Sequence, residues 1–238
     1  MPSALMLLEL MPSVVQYPVA MTKLPTSPYA VHPGVAMVQK WIADLPEKTG
    51  HTFEHWLKRI ERDAPPDLKA RQAWVKAEAG LGTHAAAWLS SRSLGSNVAF
   101  AEEDPAAYLR QAPTLVDAMY AGKKSTLRPI FDALLIHARD ALPDIRVCPC
   151  STIVPFYRTH VFAQIKPSTN TRVDLGLALG AYSKPLPDLL IDTGGLSKKD
   201  RITHRIPLQT LDDITKPVLK WLHLAFDLDV PKPRANRD

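Results

Sequence analysis

Cysteine is nearly missing from this 238-residue chain: Cys148 and Cys150 are the only two. That scarcity excludes a disulfide framework and predicts a reducing, cytoplasmic compartment. Long apolar runs are missing as well. None reaches the roughly 20 residues that a helix needs to cross a bilayer, so no membrane partner is expected. Glycine is sparse at 10 against 22 prolines, which predicts many element boundaries and few flexible linkers. The familiar catalytic signatures are also lacking: there is no G-x-S-x-G elbow, Walker loop, H-E-x-x-H pair or dinucleotide glycine fingerprint. No catalytic residue, cofactor or metal is therefore assigned.

What is present is an uneven charge. The formal net charge is +5. Residues 1–120 carry 11 Lys and Arg against 12 Asp and Glu, whereas residues 121–238 carry 18 against 12, and every acid there is Asp. A basic half of this kind suits an acidic ligand: phosphate, a nucleotide or nucleic acid. Part of the excess lies in the tail, at Lys232, Arg234 and Arg237, so the folded portion is only mildly basic. That weakens the case for nucleic acid.

Periodicity divides the chain. Residues 1–28 read as a disordered leader, apolar but interrupted by Glu9 and without a preceding cation, with Met21 as an alternative initiator. From Val35 to about Gly95 the period is helical. Thr52 and Asp67 are expected N-caps, Gly80-Leu81-Gly82 a stop, and Thr83 the cap of a fourth helix. Trp56, Trp74 and Trp88 belong to its predicted core. Asp104-Pro105 opens a further helix that stops at Gly122 and resumes to Ala138. After Pro143 the period becomes two, with strands expected at Ile145–Cys150, Ile153–Arg158, His160–Lys166, Arg172–Leu179, Leu189–Asp192 and Arg201–Ile206. One amphipathic helix, Leu211 to about Leu228, closes the pattern. The fold class is α+β: an N-terminal all-α four-helix unit (29–96), then an antiparallel sheet packed against helices (104–230), then a disordered basic tail (231–238).

Two constellations stand out. Pairing Lys166 with Arg172 across a hairpin brings Ile165, Ala163 and Val161 opposite Val173, Leu175 and Leu177, on one apolar face. The other face then sets two cations against each other, which costs stability unless an anion lies between them. The second constellation is the stretch from Asp192 to Ile206, where Gly194-Gly195 leads into Lys198, Lys199, Arg201 and Arg205. Paired glycines permit a sharp bend that exposes backbone N–H groups, and the cations add positive charge. Arg201, Thr203 and Arg205 should share the wet face of the last strand, with Ile202, His204 and Ile206 on the other. Asp192 is expected to cap the glycine turn.

Cys148-Pro149-Cys150 places both thiols on one side of a strand, badly set for a mutual disulfide. A metal site would need two further soft ligands, and buried apolar packing is the simpler account. The helix–Gly-Leu-Gly–helix of the N-terminal unit could pass for a helix-turn-helix, but its second helix carries Arg92 as its lone cation and reads as core.

The stretches from His32 to Trp41, Lys48-Thr49-Gly50 and Gly80-Leu81-Gly82-Thr83 resemble a short helical domain of unknown function found in bacterial proteins. Val147 to Cys150, Phe162 to Pro167, Arg172 to Leu177 and Asp192 to Pro207 resemble the C-terminal domain that often accompanies it. That domain is similar to one in predicted transport proteins and, more distantly, to YdhG-like α+β modules. The resemblance covers roughly residues 30–230. It implies two domains and a cytoplasmic bacterial protein, and brings no activity, substrate or catalytic residue.

The expected function is a non-catalytic binding module for an anionic, phosphate-containing ligand. Its expected contacts are Lys166, Arg172, Lys198, Lys199, Arg201 and Arg205, supported by Arg158 and Thr203. Two alternatives stay open: a cysteine-dependent enzyme around Cys148, Cys150, Arg158 and His160, and a nucleic-acid-binding protein.

Overall fold

A computed structural model describes residues 27–95 and 103–230. The expected leader (apart from Ser27 and Pro28), most of the connection between the helical and mixed regions, and the basic tail lie outside the described residues.

Four helices come first: α1 (Pro33–Thr49), α2 (Phe53–Asp63), α3 (Leu68–Ala79) and α4 (Thr83–Ser93). Their starts follow the sequence. Thr52 Oγ1 accepts from the His55 N–H, and Asp67 Oδ1 accepts from the Ala70 N–H at 2.9 Å. Gly80, with φ of 62°, closes α3 in the left-handed region. Thr83 is not a cap: Gly82 occupies the N-cap position and no side chain caps α4. The α1 cap was not anticipated. His32 Nδ1 accepts from the Gly34 N–H at 2.9 Å, while its Nε2 lies 3.2 Å from the Tyr157 hydroxyl. Val38, Leu45, Trp56, Ile60, Val75, Trp88 and Leu89 form one buried cluster, with Trp41 and Trp74 packed at its margin.

The remaining chain builds α5 (Pro105–Met119), a 3-10 segment (Gly122–Leu127), α6 (Arg128–Ala141), six strands and α7 (Lys216–Leu228). The strands are β1 (Arg146–Val147), β2 (Val154–Tyr157), β3 (Val161–Pro167), β4 (Val173–Leu177), β5 (Ile191–Asp192) and β6 (His204–Leu208). They form one antiparallel sheet in the order β1-β2-β3-β4-β6-β5. The fold is α+β, as the change of period predicts. The single closing helix is divided, because Pro217 cannot continue a preceding helix but fits a first turn: a 3-10 turn over Leu211–Asp213 precedes α7.

A second buried cluster lies between the inner sheet face and the helices. Val154, Phe156, Ile165, Leu175 and Ile206 from the strands meet Phe131, Leu134, Leu222 and Phe226 from α6 and α7. A small third cluster, Val35 with Tyr108 and Ala112, joins α1 to α5. The segment leading into α1 also touches the sheet, since the Ala30 N–H donates to Val147 O at 2.9 Å along β1. That contact occupies part of the hydrogen-bonding edge that β1 would otherwise expose.

Two strand expectations need correction. The β3–β4 register is Lys166 opposite Asp174, Ile165 opposite Leu175 and Ala163 opposite Leu177. It differs from the predicted register by two residues, so Ala163, Ile165, Val173, Leu175 and Leu177 keep their face, but Lys166 faces Asp174 instead of Arg172. Strict alternation from Val161 and Ala163 would put Phe162 on the polar face with Lys166, and it is not there. Phe156 pairs with Ala163 and Tyr157 with Val161, leaving Phe162 as the extra residue of a β-bulge. Its fully buried ring meets Phe226 edge-on at 5.4 Å.

Candidate functional site

The predicted cations separate into four groups. Arg172 and Arg205 converge on Asp174. Arg205 Nη1 donates to Asp174 Oδ1 at 3.0 Å, and Arg172 Nε lies 2.9 Å from the same oxygen. The Arg172 Nε–H points too far off line for a hydrogen bond, and Nη2 instead donates a long one to Asp174 Oδ2 at 3.4 Å beside the ion pair. Asp174 is therefore the anion that lies between these cations.

Lys198 and Lys199 lie in the exposed loop after β5, and the ion pairs of Asp174 do not include them. The double glycine has a structural reason. Gly194 adopts φ of 68°, and a Cβ on Gly195 would sit 2.3 Å from Ile202 O, inside the backbone of the returning chain. Asp192 Oδ1 accepts the Gly194 N–H at 2.7 Å, as expected of a turn cap. The N–H groups of Lys198 and Asp200 both donate to Gly195 O. The loop closes on itself and spends these donors internally.

Arg201, Arg158 and Thr203 gather at the far end of the sheet, around a carboxylate that sequence reasoning missed. The Asp229 side chain is 2 % exposed. Its Oδ1 accepts from Arg201 Nη2 at 2.9 Å and lies 3.0 Å from His160 Nδ1, and its Oδ2 accepts the His160 backbone N–H at 2.7 Å. Arg158 lies beside this group, its guanidinium 4.2 Å from the Phe226 ring centre while Nη1 donates to Phe226 O. Thr203 was expected on the wet face; it is buried, and its Oγ1 accepts the Leu179 N–H at 3.1 Å. The reason is that β6 starts only at His204, so Arg201–Thr203 do not follow strand alternation. His160, Asp200, Arg201 and Asp229 border a cleft of about 700 Å³. His160 Nε2 faces no partner among the described residues. This corner resembles an oriented histidine more than an anion cradle, because Arg201 is paired with Asp229, Arg158 is held by Phe226, and Asp200 adds a second carboxylate to the cleft.

Lys166, opposite Asp174 in the strand register, also lines a cleft of about 510 Å³ made by three segments. The first is the end of α5 and the 3-10 segment, with Lys123 and Lys124. The second is the turn closed by the Cys150 N–H donating to Ile153 O at 2.8 Å, which carries Ser151 and Thr152. The third is the β3–β4 hairpin loop, with Ser168 and Asn170. Lys124 Nζ donates to Pro167 O at 2.7 Å and ties the first wall to the third. No carboxylate lines this cleft. Its lysines are widely separated in sequence, and Lys123 and Lys124 sit in a stretch that gave no motif, so only the fold brings them to Lys166.

The cysteines are poor nucleophiles. Burial pushes the Cys148 thiol up to about 12 and the Cys150 thiol up to about 11. Both are free; Cys148 donates to Val31 O and Cys150 to Cys148 O. The Cys-Pro-Cys segment instead serves the fold: Pro149 O accepts the hydroxyl of the fully buried Tyr108 at 2.8 Å, which joins α5 to the turn carrying Ser151 and Thr152. No helix among the described residues is long and apolar enough to cross a membrane.

Residues 116–229 match a domain of unknown function (DUF5655). The match spans the lysine cleft and the whole sheet and ends at Asp229; α1–α4 lie outside it. No curated protein and no solved structure matches the chain.

Proposed function

We propose that the mixed α+β region, residues 104–230, is a binding module for a small phosphate-like anion, seated in the cleft of Lys123, Lys124 and Lys166. The helical region, residues 29–96, is then a separate domain that serves as an appended scaffold or interaction unit. One observation carries the reading: three ammonium groups share one cleft with Ser151, Thr152, Ser168 and Asn170, and no carboxylate is among them. Lysine binds phosphate as a mobile point charge, and neighbouring hydroxyl and amide groups supply directional hydrogen bonds. Arg172, Arg201 and Arg205, each facing an aspartate, are assigned to holding the sheet together.

The test is calorimetric titration of the full chain with inorganic phosphate, pyrophosphate and ATP, beside the Lys123→Ala, Lys166→Ala double variant. Saturable binding to the parent that weakens at least tenfold in the variant supports the reading. Unchanged heats on addition of all three anions would refute it. A short oligonucleotide separates the nucleic-acid alternative: many phosphate contacts give a steep loss of affinity with salt, whereas a single anion held by three lysines gives a shallow one.

A further inference from the structure

His137 on α6 and His223 on α7 are not used by the lysine cleft, nor by the Asp229 corner. Their Nε2 atoms lie 3.1 Å apart. The ring centres are 5.3 Å apart with planes inclined at 64°, so the rings meet edge to edge through their nitrogens and do not stack. Each histidine is anchored by core neighbours on its own helix. His137 lies between the buried Leu134, Leu135 and Ala138, and His223 follows the buried Leu222. The two nitrogens are thus presented by rigid elements at the rim of the main core.

We infer that His137 and His223 form a two-imidazole chelate for a borderline divalent ion of the late first transition row, Cu²⁺, Ni²⁺ or Zn²⁺. The geometry carries the inference. With metal–nitrogen bonds of about 2.0–2.1 Å, two cis imidazoles stand about 2.9 Å apart at a square corner and about 3.3 Å apart at a tetrahedral one. The observed separation falls between these values, so the nitrogens need to move by only a few tenths of an ångström, while the rings, which point at each other almost head-on, tilt to turn both lone pairs to the ion.

Without metal, one ring donates its Nε2–H to the lone pair of the other. On binding, the donor ring moves that proton to Nδ1, and both Nε2 lone pairs turn to the ion. No net proton is released from a neutral pair.

Imidazole ligation selects the ion class. Mg²⁺ and Ca²⁺ prefer oxygen, while affinity along the first row rises to Cu²⁺. Among the described residues no group of three or more His, Cys, Asp and Glu side chains is placed to hold a metal. Water or an added ligand therefore fills the remaining positions. The chelate is accordingly exchangeable, with micromolar binding expected for Cu²⁺ and weaker binding for Ni²⁺ and Zn²⁺.

The experiment is titration of the full chain at pH 7.5 with CuCl₂, NiCl₂ and MgCl₂, beside His137→Gln, His223→Gln and His55→Gln. The last variant tests the other close pair, His51 and His55, whose rings stack at 4.0 Å. One equivalent of Cu²⁺, weakened at least tenfold in His137→Gln and in His223→Gln but retained in His55→Gln, is the expected result. Circular dichroism establishes that each variant is folded before titration. Absence of saturable Cu²⁺ binding to the parent, survival of that binding in folded His137→Gln and His223→Gln, or its loss in His55→Gln, overturns the inference.

Discussion

The arginine-rich sheet ends and the lysine cleft carry similar positive charge, but they use it in opposite ways. Arg172 and Arg205 share Asp174, and Arg201 shares Asp229 with His160. Lys123, Lys124 and Lys166 line a cleft without a carboxylate. A count of cations along the chain weights the two regions alike. What differs is whether an aspartate is engaged: Lys166 stands opposite Asp174 in the strand register, yet the ion pairs of that carboxylate go to Arg172 and Arg205. The planar fork of arginine suits a fixed carboxylate, whereas lysine, with a flexible stem and a strongly hydrated head, suits an exchangeable anion.

Removing the hub of the mated region should have the largest effect. Asp229→Ala leaves Arg201, His160 and a backbone N–H without their shared acceptor and is expected to destabilise the chain by about 3 kcal/mol. Urea denaturation at pH 7.5 measures this, and a loss under about 0.5 kcal/mol would return Asp229 to the class of ordinary surface charges. Asp174→Asn comes next. Its partners are partly solvated, so the stability loss is smaller, about 1 kcal/mol. It also leaves Arg172 and Arg205 without a counter-charge, and new phosphate binding should appear by calorimetry. If none appears, the aspartate is not what keeps these arginines from anions.

The lysine region should respond in the reverse sense. Lys166→Ala is expected to shift stability by no more than about 0.5 kcal/mol while lowering anion affinity several-fold, read by paired denaturation and titration. A thiol-reactive probe checks a third region against both. With thiols raised to about 12 and about 11, Cys148 and Cys150 carry little thiolate at neutral pH. Labelling of the native chain at pH 7.5 should be slow, and should become rapid only after urea unfolding. Rapid native labelling would revive the cysteine enzyme.

The smallest effect concerns pH. Burial holds His32 below its ordinary value of 6.5, and both ring nitrogens are engaged by Gly34 and Tyr157. The unfolded chain therefore binds the proton first as pH falls. The His32 contribution to stability is complete above about 6.5 and is lost progressively as pH drops towards the lower folded value. Urea midpoints at pH 7.5 and 5.5 should differ less in His32→Asn, whose side-chain oxygen can still cap α1. An unchanged difference would mean that other groups set the acid slope.

Much of the fold was legible because it depends on local chemistry. The strands appear where the period becomes two, and Thr52, Asp67, Gly80, Asp104 and Asp192 each perform the local role their side chains suggest. The β3–β4 register differs from the expected one by two residues because the apolar alternation is satisfied equally by both pairings. Alternation fixes the face but not the partner. The site was less legible. Asp229 is 69 residues from His160 and 28 from Arg201, and nothing in its flanking Leu228 and Val230 distinguishes it from a solvated helix end. Lys123 and Lys124 looked like an ordinary charged turn until Lys124 reached Pro167 O.

By itself, the sequence determined the α+β class, the order of elements, most helix caps and the inward faces of the strands. These follow from side-chain period, backbone dihedral preference and hydrogen bonds spanning two to four residues. Tertiary structure decided which cations face aspartate and which line a cleft free of carboxylates. It also turned Phe162 inward through a bulge and set His137 against His223. Charge pairing depends on distance in space, and contacts separated by tens of residues leave no periodic trace along the chain.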